Sequence, residues 1–240
     1  MRTFLFILAI AFSTTSNSQE FKNYGTPLNI GDKNYTAPFF NSLNQRAEYK
    51  QGGVNEKKVD GSPYINEEFT TSEIVGIPYN FNMRYNAYAD EVEVEKVKGD
   101  VYALKKDNEF KTILIDKGKY KLQLVNYWIS SKKEVYGSLV ELISTKGIVL
   151  YRRDKMNLIA GKEAITSFDI AVAPKLVRSK DRYYLKQKEN NIIEFPENKK
   201  QLIQLFPSFQ KEISAFINEK DINLKSEEDV IQLIQYIGTL

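Results

Sequence analysis

The chain contains no cysteine and no histidine. Together those absences remove the Ser-His-Asp triad, the thiol nucleophile and any zinc site built on nitrogen or sulfur ligands. Without cysteine there is no disulfide framework and no lipid attachable to a cysteine after an export signal, so an ordinary apolar core must hold the fold. Walker, Rossmann glycine and EF-hand patterns are also missing, which argues against nucleotide or dedicated calcium binding. No cofactor and no metal are therefore expected. An excess of one charge sign is missing as well: Glu and Lys are interleaved through both halves, with no basic stripe for nucleic acid.

What is present begins with an export signature. Arg2 precedes an apolar segment over residues 3–12, too short to span a bilayer, and Ser16 and Ser18 supply the small residues a signal peptidase needs. Cleavage after Ser18 is expected, leaving 33 basic and 31 acidic residues in a soluble mature chain sent to the periplasm or the cell exterior. No later segment has the length and apolarity of a transmembrane helix.

Residues 19–60 show neither helical nor alternating periodicity and read as an irregular leader that Tyr35, Phe39 and Phe40 could pin to the main body. Asn34-Tyr35-Thr36 matches a glycosylation acceptor, relevant only to a eukaryotic secretory route. Over residues 61–196 period-two alternation broken by turn residues predicts an antiparallel β domain. Strands are expected at 81–88, 91–97, 101–104, 109–115, 119–129, 134–144, 148–158, 178–186 and 191–195. In residues 91–97 Val92 and Val94 oppose Glu91, Glu93 and Glu95, so the acidic row is expected to face water. Phe110, Thr112 and Leu114 are expected opposite Ile113 and Ile115, and residues 119–129 read as a central strand covered on both sides near its end. Connections this short allow hairpins and few crossovers, so the fold class is mainly β (α+β), an up-and-down meander forming a curved or half-open barrel.

After Pro196 the period changes to about 3.6. A weak helix over 198–206 and a clear one over 207–219 are expected, the latter with Phe209, Ile213, Phe216 and Ile217 on one face. A third begins at Ser226, where Ser226 and Asp229 have capping-box spacing ahead of Val230, Leu233, Ile234 and Ile237. Helices this short are marginal alone, so residues 197–240 must dock on the open face of the sheet.

Few patterns here carry chemistry. Ser130 with Lys133, and Ser208 with Lys211, have the spacing of a lysine-activated serine, but the companion elements are missing. A turn for the first pair and an N-capping serine for the second are the preferred readings. Glu67, Glu68, Asp90 and Glu91 flank an aromatic strand and are the candidates for carboxylate-based glycoside hydrolysis, weighed against a solvated strand edge guarded by acids. The fifteen tyrosines and the single Trp128 are strand formers first. Among them Tyr85, Tyr88 and Trp128, with Arg84 and Asp90, are the candidate ligand-binding residues.

Three segments carry a resemblance: residues 61–69 (Gly-Ser-Pro-Tyr-Ile-Asn-Glu-Glu-Phe), residues 84–91 (Arg-Tyr-Asn-Ala-Tyr-Ala-Asp-Glu), and the tail from Asn198 through Phe206 with Glu227 to Val230. Over residues 61–240 the chain resembles a group of uncharacterised exported proteins of Bacteroidetes-type bacteria. The resemblance implies bacterial export and no particular activity. A non-enzymatic envelope or secreted binding protein is expected, its partner an envelope protein, lipid, peptide or glycan. The alternatives are a carboxylate-based carbohydrate enzyme and a structural module docking through a sheet edge or the C-terminal helices.

Overall fold

The computed structural model describes residues 43–45, 50–51, 54–55 and 59–240, apart from 131, 167 and 189. The expected signal segment, Asn34, Tyr35, Phe39 and Phe40 lie outside the described residues. Within the expected leader, three short stretches are extended: β1 (Leu43–Gln45) pairs with the main sheet, while β2 (Lys50–Gln51) and β3 (Val54–Asn55) pair with each other. The leader is therefore not irregular throughout.

The main sheet draws on β4 (Thr70–Ile74), β5 (Asn80–Asn86), β6 (Glu91–Val97), β7 (Asp100–Leu104), β8 (Thr112–Ile115), β9 (Tyr120–Ile129), β10 (Lys133–Thr145), β11 (Ile148–Arg153), β14 (Arg182–Gln187) and β15 (Ile193–Glu194). A separate hairpin is formed by β12 (Met156–Ile159) and β13 (Lys175–Arg178). Eleven strands run in the order β1-β7-β6-β5-β4-β8-β9-β10-β11-β14-β15, every pair antiparallel. Most neighbours are consecutive in sequence because tight turns join them. The departures from a meander are three: β1 pairs with β7, β4 has β8 as well as β5 beside it, and β11 pairs with β14 across the intervening β12–β13 hairpin.

The sheet curls. Its first half packs Ile74, Met83, Tyr85, Val92, Val94, Ile113, Ile115, Leu122 and Val140 into one core. In its second half, residues just before β15 return to the end of β9 through a parallel bridge, Tyr127 to Ile192, with the Trp128 N–H donated to the Ile192 carbonyl at 2.8 Å. Strands β9, β10, β11, β14 and β15 thus form a small ring, filled by Tyr127, Leu139, Tyr151, Tyr184 and Ile192. Burial of both faces of β9 follows: Leu122 and Leu124 point to the first core and Tyr127 to the second.

Several expected strands change shape. Residues 148–158 do not form one strand, since Asp154 and Lys155 interrupt β11 before β12. Residues 178–186 likewise divide between β13 and β14. Phe110 is buried from a 3-10 turn (Asn108–Phe110), which shifts the phase so that Ile113 and Ile115, not Thr112 and Leu114, face the core. Strand β5 ends at Asn86, placing Tyr88 in a turn.

The tail forms α1 (Lys199–Gln204), a 3-10 turn (Pro207–Phe209), α2 (Gln210–Glu219) and α3 (Glu227–Ile237). Asn198 caps α1 by accepting the Gln201 N–H at 2.9 Å, and Ser226 caps α3 by accepting that of Asp229. Only half of the expected capping box forms, because the Asp229 carboxylate accepts the Asn223 N–H instead. Leu202, Ile213, Ile217, Val230, Leu233, Ile234 and Ile237 bury themselves against Leu150 and Leu185, on the outer face of β11 and β14. Arg152 fixes this docking by pairing with Glu227 at 2.7 Å.

Candidate functional site

Strand β10 is paired with β9 from Lys133 to Val140, but with β11 only from Val140 onward. Beyond that point β10 and β11 separate, and the backbone of β10 would be left with unmet donors. The turn over residues 87–90 fills the split. Ala87 accepts the Met156 N–H at 3.2 Å, and the Asp90 carboxylate accepts the Ser138 N–H at 3.2 Å. Asp90 holds this position with φ 56°, a left-handed conformation that aspartate tolerates better than most residues.

The same carboxylate accepts the Tyr85 hydroxyl at 2.8 Å and pairs with Lys106 at 2.6 Å. Burial first, and then the Asp90 charge, pushes the Tyr85 hydroxyl well above its ordinary pKa, so it stays a donor. Gly137 lets the carboxylate come this close, since a methyl group there would stand 2.7 Å from Asp90 Oδ2 and 3.4 Å from the Tyr127 hydroxyl. On the other lip of the split, Lys155 donates to the Tyr88 carbonyl at 2.9 Å and lies 5.8 Å from the Tyr88 ring. Desolvation, then repulsion from Arg153, lowers the Lys155 pKa, with Lys106 adding to it. Arg153 stands 5.8 Å over the Tyr127 ring, which packs edge-on against Tyr184 at 4.9 Å.

The split therefore unites Tyr85, Tyr88 and Asp90 of the expected ligand-binding set with Lys106, Tyr127, Gly137, Ser138, Arg153, Lys155 and Tyr184. Arg84 is elsewhere. It lies on the opposite face of β5, where it pairs with Glu93 at 2.9 Å and stacks on Tyr64 and Phe69 at 3.7 and 4.2 Å. Trp128 faces away from Tyr127 on β9 and is half-buried. The cationic members escaped sequence reasoning because Arg153 and Lys155 straddle a strand break that alternation alone does not reveal.

The acidic row of β6 does not all face water. Glu93 has no exposed surface: residues 60–69 cross over it, and its carboxylate receives Tyr64, Arg84 and Asn86. Glu67 also lies on this outer side, its carbonyl accepting Arg84, whereas Asp90 is at the split. Ser130 occupies a left-handed turn before β10, and Ser208 the 3-10 turn ahead of α2.

A second polar cluster is closed. Asp154, fully buried, is held by Arg152, Arg178 and Tyr120. Next to the split, a cleft lined by Leu104, Lys106, Phe110, Leu124 and Ser138 has about 20 Å³ of free space, room for one water molecule. Among the described residues no group of three or more metal-binding side chains occurs, and no helix is long and apolar enough to cross a membrane.

Among the described residues most of the exposed large hydrophobic side chains lie on the β12–β13 hairpin. In the long connection between its strands, residues 160–174, Ile165, Phe168 and Ile170 are 85, 96 and 84 % exposed. Val172 and Ile159 are exposed as well. The connection is ordered by Asp169, whose carboxylate accepts the Ile165 and Thr166 N–H groups and the Thr166 hydroxyl. Those donors hold the Asp169 carboxyl below its ordinary pKa.

No protein-family model, curated protein or solved structure matches this chain.

Proposed function

We propose that this chain is a non-enzymatic binding protein of the bacterial envelope or cell exterior, and that it grips a protein partner with the β12–β13 arm. The observation that carries it is the near-full exposure of Ile165, Phe168 and Ile170 within the one connection that joins β12 to β13, beside a sheet whose interior is filled. Isolated surface hydrophobes need no explanation, but three nearly bare ones within six residues of a single connection mark an interaction site. A groove on a protein suits the arm better than a bilayer does. Asp169 sits between Phe168 and Ile170 and is held ionised by its donors, and a fixed negative charge opposes entry into lipid.

Other surfaces fit less well. The curled sheet is packed with side chains, the outer strand β15 is covered by the end of β9, and the helices spend their apolar faces on Leu150 and Leu185. The acids offered for carbohydrate chemistry are divided between the split and the outer face of β5.

A photo-cross-linking residue at position 168 tests the reading in the exporting bacterium. A discrete protein adduct is expected, lost when Ile165 and Ile170 are replaced by Ser, with the urea midpoint unchanged. Binding of the purified chain to phosphatidylglycerol-containing vesicles in place of a protein adduct would overturn the choice of partner. Absence of both would remove the arm from consideration.

A further inference from the structure

The split between β10 and β11 has more positive charge than its own carboxylate can balance. Lys106, Arg153 and Lys155 converge there, and Asp90 is paired with Lys106. The neighbouring Asp154 is already consumed by Arg152, Arg178 and Tyr120. Among the described residues Arg153 has no ion pair, and Lys155 has only a backbone carbonyl as hydrogen-bond acceptor. The Tyr184 hydroxyl is fully buried next to Arg153, whose charge and side-chain hydrogen-bond contact work against the rise that burial causes in its pKa, and no group among the described residues forms a well-shaped hydrogen bond with it. A buried hydroxyl without a well-formed hydrogen bond is costly unless something completes its shell, and such a group needs a reason.

We infer that this split is a binding site for a small oxyanion, a carboxylate or phosphate group, held by the Arg153 guanidinium and Lys155 ammonium and accepting the Tyr184 hydroxyl. Guanidinium suits the planar pair of oxygens that both groups present. Tyr88 forms one wall, and its ring contact with Lys155 keeps the ammonium at the rim. Asp90 does not fill the role, because Tyr85, Ser138 and Lys106 already hold its oxygens. The site is independent of the arm, so either assignment can fail alone.

Titration calorimetry of the mature chain at low ionic strength, with inorganic phosphate and with acetate as probes, tests this. Saturable binding of at least one probe is expected. Arg153→Gln should weaken it tenfold or more, while Lys199→Gln, on an exposed helix, leaves it unchanged. Tyr184→Phe separates function from packing: deleting a hydroxyl without a well-formed hydrogen bond should leave the melting temperature equal or higher, yet weaken binding severalfold. If Arg153→Gln does not fold, Lys155→Met takes its place. Preference for phosphate or for acetate identifies the ligand class. Absence of saturable binding by both, or indifference to the Arg153 and Lys155 substitutions, overturns the assignment.

Discussion

The Asp90 carboxylate accepts the hydroxyl of Tyr85, five residues earlier, at 2.8 Å, and this contact ties the turn that plugs the sheet to the strand entering it. Asp90 therefore stands in for a missing strand, serving the Ser138 N–H as a backbone carbonyl would.

Asp90→Ala should cost about 3 kcal/mol, since it strands a buried hydroxyl, a backbone donor and Lys106 together. Asp90→Asn keeps the shape and tolerates positive φ, so it should cost less. Gly137→Ala should destabilise by about 1–3 kcal/mol through overlap with the carboxylate. In an Asp90→Ala background that penalty should shrink, giving a coupling of about 1 kcal/mol or more in a double-mutant cycle measured by urea unfolding. Additive effects would mean that the two residues do not share the space.

Glu93 and Glu95 lie on one side of β6 but should respond differently. Glu93→Ala leaves the Arg84 guanidinium facing Tyr64 and Asn86 without its carboxylate, at a cost of about 3–5 kcal/mol. Glu95, half-exposed and among the described residues accepting only the Gly99 N–H, should cost under about 1 kcal/mol. Equal urea midpoints for the two variants would contradict the burial of Glu93.

That contrast shows how far the sequence could be read. Alternation located Val92 and Val94 on the core side, and both are buried there. It could not reveal that residues 60–69 cover the far face, because alternation reports two faces and not what lies over each. Helical periodicity fared better: Val230, Leu233, Ile234 and Ile237 are all buried, since one stripe on a short helix has one place to go. The site was half legible. Tyr85, Tyr88 and Asp90 were recognisable as polar and aromatic residues close in sequence, whereas Lys106, Arg153 and Tyr184 reach them through the curl of the sheet. Arg84 was grouped with Tyr85 by adjacency, and strand geometry puts neighbours on opposite faces.

Stability should fall in alkali over a defined window. Burial pushes the hydroxyls of Tyr127, Tyr151 and Tyr183 up to about 12, with Glu141 adding to the shift at Tyr151 and Glu227 at Tyr183. Unfolded tyrosines lose their protons near pH 10. Between pH 10 and 12 the unfolded chain therefore binds fewer protons than the folded one, and stability declines as pH rises. Below pH 10 this contribution is fully present. The urea midpoint should hold level up to about pH 9.5 and then drop, with tyrosinate absorbance appearing together with the loss of β-sheet circular dichroism. Tyrosinate absorbance accounting for every tyrosine at pH 11 while the sheet signal persisted would contradict these shifts.

Truncation after Pro196 decides whether the helices are an appendage or part of the core. Removing residues 197–240 uncovers Leu150 and Leu185, each nearly fully buried on the outer face of the sheet, and takes Glu227 from Arg152. Burial of side chains that size is worth about 1.5–3 kcal/mol each, and the stranded Arg152 side chain still borders the buried Asp154. The truncated chain should lose cooperative unfolding, and Leu233→Ala in the full chain should cost about 2–5 kcal/mol. Urea unfolding with the wild-type midpoint after truncation would make the helices a separable docking module. Loss of the fold instead assigns them to the core, and the docking role proposed here then falls to the β12–β13 arm.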